Sequence, residues 1–259
     1  MPLNRIFYKM IKQTTTRNFE KWAKVYDIIY GKYKDDIDFY RKEARKAKGK
    51  VLEIACGTGR IYLELLKGGI DIYGIDISKN MLEVLKKKAR NLGLKPKVKK
   101  ADMRNFKFNI KFSLIIIPFR SFLHNLTIED QTKTLKNIKN HLEPNGRLIL
   151  NFFTPNPEFI VNNYGKEQKE TIKDGDKEYT LITKSYFIDE PNHIVEFVNM
   201  LKYKNKVVWK DKFRIVLIHK REFELLLRIV GFKKWKVYGG FNYEPLKSFK
   251  QEMVWIIEK

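Results

Sequence analysis

The residues best placed to do chemistry in this chain are three carboxylates and a pair of glycines. Glu53 stands in "VLEIACGTGR" (51–60), Asp76 ends "IDIYGID" (70–76) and Asp102 ends "KVKKAD" (97–102). Each stretch opens with the short apolar or alternating run expected of a strand. Gly57 and Gly59 follow the first run. Without side chains they allow positive φ and let a ligand approach the backbone. A dinucleotide-binding turn would place a third glycine three residues after Gly59, but Tyr62 is there, so a pyrophosphate is not the favoured ligand. A carboxylate at the second strand end can accept from both hydroxyls of a ribose, and one at the third from the exocyclic amine of adenine. An acidic edge also tolerates a cation better than a phosphate.

These groups meet only if the chain folds so that the strand ends lie side by side. The region 49–153 has that rhythm. Strand-like "KVLEIA" (50–55) leads to helical "RIYLELLKGG" (60–69), and "IDIYGID" to "SKNMLEVLKKKARNLG" (78–93) with Ser78 as cap. "KVKKAD" is the third strand and "FSLIIIPF" (112–119) a fourth, buried on both faces. "TIEDQTKTLKNIKNHL" (127–142) reads as a helix with a Thr127…Asp130 capping box, and "NGRLILNFF" (145–153) as a fifth strand after a Pro144-Asn145-Gly146 turn. Alternation of this kind predicts an α/β fold: a parallel sheet covered by helices, with ligands outside the carboxyl ends of its strands.

After residue 153 the pattern changes. Residues 178–188, 193–203 and 207–218 read as three strands of an antiparallel meander, inserted as a lid or side sheet. "KREFELLLRIVG" (220–231) reads as a helix, and "FKKWKVYGG" and "EMVWIIEK" as closing strands that bring the main sheet to about seven. "NFEKWAKVYDIIYGKY" (18–33) reads as an aromatic amphipathic helix. The expected organisation is an N-terminal helical segment over the cleft (1–48), a binding core (49–153), the inserted lid (154–218), and a C-terminal helix with the last two core strands (219–259).

Composition narrows the classes. The 259 residues carry 53 Lys+Arg against 30 Asp+Glu, a net charge of +23. That charge attracts nucleic acid or anionic surfaces without specificity, yet no RNA-binding motif accompanies it. One cysteine excludes an intrachain disulfide, and no metal-ligand spacing is present. The basic N-terminus lacks the apolar stretch of a signal peptide, and no window reaches the roughly 18 apolar residues of a membrane span. A soluble, cytoplasmic protein is the expectation; nothing in the sequence sets an oligomeric state.

Taken in order, "VLEIACGTG", "YGIDISKNML", "KKADMRNF" and "LEPNGRLIL" resemble the motifs of class I S-adenosylmethionine-dependent methyltransferases, over about residues 20–153 and the final strands. The resemblance implies a Rossmann-like seven-stranded mixed sheet whose last strand is antiparallel, and S-adenosyl-L-methionine as cofactor. It implies that Glu53 lies near the cofactor's amino-acid end, with the backbone of Ala55, Gly57 and Gly59 passing close to it. Asp76 would bind the ribose and Ile77 would pack on the adenine. Asp102 would hold the adenine amine, with the Met103 amide reaching a ring nitrogen. Pro118 and Phe119 would face the methyl group, and Tyr26 and Tyr30 would close over the cofactor. Ala55 replaces the usual first glycine of the loop, and Ser113 the usual acidic residue opening the fourth strand.

His124, soon after the fourth strand, is the candidate general base, and Arg120 the candidate grip for an anionic substrate group. "IPFR" replaces the Asn-Pro-Pro-aromatic or Asp-Pro-Pro-aromatic run common where a base nitrogen of DNA or RNA is methylated, and Cys56 is in the wrong loop for pyrimidine C5 chemistry. A small-molecule N, O or C nucleophile is therefore the expected methyl acceptor. An RNA or protein methyltransferase exploiting the charge, or a non-catalytic nucleotide-binding module, are the alternatives.

Overall fold

The computed structural model describes residues 19–259. The basic segment read above as no signal peptide, and the first residue of the helix expected over 18–33, lie outside the described residues. Among the described residues, eleven strands form two sheets. β1 (Val51–Ile54), β2 (Ile72–Asp76), β3 (Lys97–Lys100), β4 (Phe112–Ile117) and β5 (Leu142–Phe153) share one sheet with β10 (Lys234–Tyr238) and β11 (Glu252–Glu258), in the order β10-β11-β5-β4-β1-β2-β3. The pairs among β1 to β5 are parallel, and β11 runs antiparallel to both β5 and β10. The chain leaves β1 toward β2 and β3, then returns to β4 on the other side. The crevice at that reversal is where a doubly wound sheet binds its ligand.

The central strands are buried on both faces. Leu52, Ile54, Ile115 and Ile117 belong to one apolar cluster, and Val51, Leu114, Ile116 and Tyr62 to the other. Burial of each such side chain contributes roughly 1.5–3 kcal/mol. The edge strand β3 carries exposed lysines, which blunts an open edge. The expected turn at Pro144-Asn145-Gly146 proves to be a bulge within a longer β5, where the register jumps between Phe112↔Leu142 and Leu114↔Arg147.

The lid has four strands, not three. β6 (Glu167–Asp174), β7 (Lys177–Asp189), β8 (Ile194–Tyr203) and β9 (Lys206–Val216) pair in sequence as an antiparallel sheet. β6 escapes sequence reading because Ile172 is its only buried residue, so its main chain pairs with β7 without apolar alternation. Cross-strand register places Thr183, Asn199 and Asp211 in one row, beside Phe197 and Phe213 and beside Leu201 and Trp209. That face turns inward. Tyr186, Lys212 and Arg214 surround Glu196 on the other.

The aromatic helix of the N-terminal segment is broken. Residues 19–22 are helical, 23–25 form a turn, and the helix resumes at Tyr26–Tyr30. Two carboxylates fasten this segment to the core. Glu20 accepts from the Lys79 and Asn80 amides, at 2.9 and 2.8 Å, so it caps the helix Lys79–Asn91 together with Ser78. Asp27 accepts from the Thr58 hydroxyl at 2.7 Å and pairs with Lys88 at 3.0 Å.

Candidate active site

A cavity of about 360 Å³ opens at the carboxyl ends of β1, β2 and β4, beneath the inward face of the lid. Its floor begins at the turn after β1. Ala55, Gly57 and Gly59 all take positive φ, of 57°, 52° and 87°. Two of them line the cavity, and a Cβ on Gly57 would meet nothing within 4 Å, so the turn leaves an open cradle there. Gly59 does a different job from the one expected. It is not part of the cavity wall, and a Cβ there would stand 2.8 Å from Leu85 Cγ and 3.0 Å from Leu63 Cγ. Its missing side chain lets two helices pack on the strand.

Asp76 is buried at the end of β2, with one oxygen accepting from the Gly57 amide at 2.9 Å and the other from the Ser78 amide at 2.8 Å. Burial nevertheless pushes its carboxyl up to about 6, with those amides acting in the opposite direction. Asp102 lies two residues beyond the end of β3 rather than on the strand. Arg104 donates to it through Nε at 2.9 and 3.0 Å and extends to Asp130 at 2.8 Å. Asp130 is thus drawn away from the capping box: only its amide, donating to Thr127 Oγ1 at 3.2 Å, takes part. Ile77 and Met103 complete this end of the cavity.

Glu53 alternates away from Ile54 and stands behind the wall rather than in it. Its Oε2 is buried without a hydrogen-bond partner, and burial raises its carboxyl well above the usual range, with Arg60 pulling the other way. Arg60, whose position carried no sequence signal, is paired with the fully buried Asp36 at 2.5 Å and stacks between Tyr33 and Phe119, 5.1 and 4.9 Å from their ring centres.

The opposite end of the cavity centres on Phe119. Phe119 and Arg120 both adopt left-handed backbone, with φ of 54° and 64°, directly after β4. Such conformations cost of order 1–3 kcal/mol each and persist only where neighbours enforce them. Here Asn151 does so: its Oδ1 accepts from the Phe119 amide at 2.9 Å and from the Tyr40 hydroxyl at 2.8 Å. Tyr30 and Tyr26 stand 5.1 and 6.4 Å from the Phe119 ring and line the cavity, whereas Pro118 is buried outside it. Burial pushes the Tyr30 hydroxyl up to about 12, so it stays protonated.

His124 and Arg120 line the cavity but differ from the roles expected of them. His124 Nδ1 lies 2.9 Å from the Arg214 carbonyl, and a carbonyl only accepts, so Nδ1 carries the proton and Nε2 presents a lone pair. Burial lowers its pKa to about 4, which makes a weak base and a neutral hydrogen-bond acceptor. The Arg120 guanidinium is held by Glu252 at 2.8 to 3.2 Å through Nε and Nη2, so it meets the cavity as half of an ion pair.

The residues present fit S-adenosylmethionine: an open glycine cradle after β1, a buried carboxylate at the end of β2, a buried carboxylate oxygen without a partner in β1 and aromatic faces around Phe119. The comparisons agree. The methyltransferase domain family matches residues 51–146. A sugar N,N-dimethyltransferase of Streptomyces venezuelae, acting on dTDP-3-amino-3,4,6-trideoxy-alpha-D-glucopyranose, is 28% identical over 84% of this chain and 92% of its own. A glycine/sarcosine N-methyltransferase of Halorhodospira halochloris is 27% identical over 86% of this chain and 80% of its own. Among solved structures, an S-adenosylmethionine-dependent methyltransferase from Clostridium acetobutylicum superposes with a TM-score of 0.74 at 20% identity, covering 93% of this chain and 98% of that one. Motifs, sheet order and domain match converge on a class I S-adenosylmethionine-dependent methyltransferase, with residues 51–146 as its methyltransferase domain.

Proposed function

We propose that this enzyme transfers a methyl group to a nitrogen of a small polar molecule enclosed between the sheet edge and the lid. One observation carries the reading: one continuous cavity is lined both by Asp76 and Asp102 at the sheet edge and by Asn199 and Phe213 of the lid. Nitrogen as the accepting atom, among N, O and C, is supported by the N-methyltransferases among the relatives. In this reading 49–153 and 219–259 hold the cofactor, while the N-terminal segment and 154–218 close over the acceptor.

Asp76 would hold the ribose, Asp102 and the Met103 amide the adenine edge, and Ile77 the adenine face. Glu53, behind the wall, would turn its unpartnered Oε2 toward the ammonium at the amino-acid end as the cofactor seats. Bound there, the cofactor supplies an electrophilic methyl group on a sulfonium. The chain supplies position and dryness. Phe119, Tyr26 and Tyr30 present π faces that favour positive charge. Alignment of two partners in an enclosed site can contribute on the order of 7–11 kcal/mol. His124 Nε2 would accept an N–H of the incoming amine and turn its lone pair toward the methyl group. As His124 is too weak a base to remove a proton near neutrality, the amine must enter uncharged.

The test is incubation with methyl-labelled cofactor and a size-fractionated cell extract. Label in small amines supports the proposal; label confined to RNA or protein overturns it.

A further inference from the structure

The lid carries polar groups that the fold leaves unsatisfied. Among the described residues, Trp22 Nε1, Asn199 Nδ2, Trp209 Nε1 and Asp211 Oδ2 are buried side-chain atoms without a hydrogen-bond partner. They lie together. Asn199 and Asp211 are opposed across β8 and β9, which sets their Cβ atoms about 5 Å apart. Trp209 follows on the same face opposite Leu201, and the Trp22 ring packs on Trp209 at 4.5 Å. Leaving such a group unpaired costs about 1–3 kcal/mol, so a cluster of them calls for a missing partner.

Asn199 is the member aimed at the cavity. It is 3% exposed and forms part of the wall with Thr183. The Thr183 hydroxyl donates to Asn199 Oδ1 at 2.8 Å, which fixes the amide and leaves Nδ2 as a donor. Beside it, Asp211 uses Oδ1 for the Lys212 amide at 2.9 Å and keeps Oδ2 as an acceptor. In the wall itself, Asn199 Nδ2 as donor and the Thr183 hydroxyl oxygen as acceptor match a hydroxyl or a pair of neighbouring hydroxyls, which both accept and donate. They do not match a carboxylate, which only accepts and would repel Asp211. Lys21, exposed and outside the cavity wall, is the cation that acts on Asp211, while the cavity's guanidiniums, Arg104 and Arg120, are already held by Asp102, Asp130 and Glu252.

We propose that Thr183, Asn199 and Asp211 form an acceptor-recognition row that selects hydroxyl-bearing amines over carboxylate-bearing ones. The proposal rests on the methyl-transfer reading of the cavity and names the substrate class of that site. Asn199 and the Thr183 hydroxyl oxygen bind the hydroxylated part of the acceptor, Asp211 stands beside Asn199 outside the wall and disfavours a carboxylate there, and the amine extends toward Phe119 and His124.

The test titrates the full-length enzyme, saturated with S-adenosylhomocysteine, with D-glucosamine as the hydroxylated amine and sarcosine as the carboxylate-bearing one. Calorimetry should give glucosamine at least tenfold the affinity of sarcosine. Asn199→Leu should weaken glucosamine tenfold or more, and the near-isosteric Thr183→Val several-fold, with S-adenosylhomocysteine affinity unchanged in both. Sarcosine binding as tightly as glucosamine, no glucosamine binding, or glucosamine affinity indifferent to both substitutions would overturn the row. Failure of S-adenosylhomocysteine itself to bind would instead overturn the cofactor reading beneath it.

Discussion

Asp76 gives the account its most quantitative exposure. Its carboxyl is buried and titrates at about 6 because burial outweighs the Gly57 and Ser78 amides. Ribose hydroxyls donate to a carboxylate, so binding S-adenosylhomocysteine requires the ionised form and must displace the proton at lower pH. With a free-enzyme pKa of 6, affinity falls about twofold at pH 6 and about elevenfold at pH 5, each full unit costing ~1.36 kcal/mol. For the unliganded fold the sign is the reverse. A carboxyl raised from its usual 3.8 contributes stability below that value and loses it as pH rises through about 6. Calorimetric titrations at pH 8, 6 and 5 measure the first effect, and proton release near pH 6 should appear in buffers of different ionisation enthalpy. Asp76→Asn should weaken binding at neutral pH by about 1.5–3 kcal/mol, the range for a charged hydrogen bond. It should also flatten most of the acid limb; a residual slope belongs to Glu53, whose carboxyl is raised as well. Affinity constant from pH 8 to pH 5 in the unaltered enzyme would refute the reasoning.

Other substitutions separate packing from binding. Gly59→Ala should destabilise the fold by about 1–3 kcal/mol in urea unfolding, because its Cβ meets Leu85 and Leu63 in a left-handed backbone. Gly57→Ala meets open space, so it should cost only about 1–2 kcal/mol of left-handed strain while losing cofactor affinity. Asn151→Leu strands the Phe119 amide and the Tyr40 hydroxyl; about 1–3 kcal/mol of stability should be lost for each donor, and kcat should fall beyond what unfolding explains. His124 is neutral above about pH 4, so the rate should follow the acceptor's own deprotonation and show no acid limb near 6.5.

Much of this was legible in the sequence because local and global signals coincide in the core. Glycines at positive φ, carboxylates at strand ends and alternating strand and helix periods place Asp76, Gly57 and Ile77 at one edge without reference to anything distant. The lid was only half legible. β6 is a charged edge strand held by its main chain, so it has no apolar period to read. Residues brought in by long-range packing gave no signal at all. Arg60 and Asn151 are ordinary polar residues until Asp36, Tyr40 and Phe119 surround them. Asn199 becomes notable only when the register of β7 and β8 brings Thr183 to it. The pairing of Arg120 was illegible for the same reason: its partner Glu252 is 132 residues away.

The central claim is that the edge of the sheet and the lid enclose cofactor and acceptor in one chamber. A crystal structure of the enzyme with S-adenosylhomocysteine tests it most directly. The account predicts ribose density against Asp76, adenine beside Ile77 and Met103, and sulfur turned toward Phe119 and the lid. Adenosine bound elsewhere, or the chamber filled by the protein's own side chains, would contradict it.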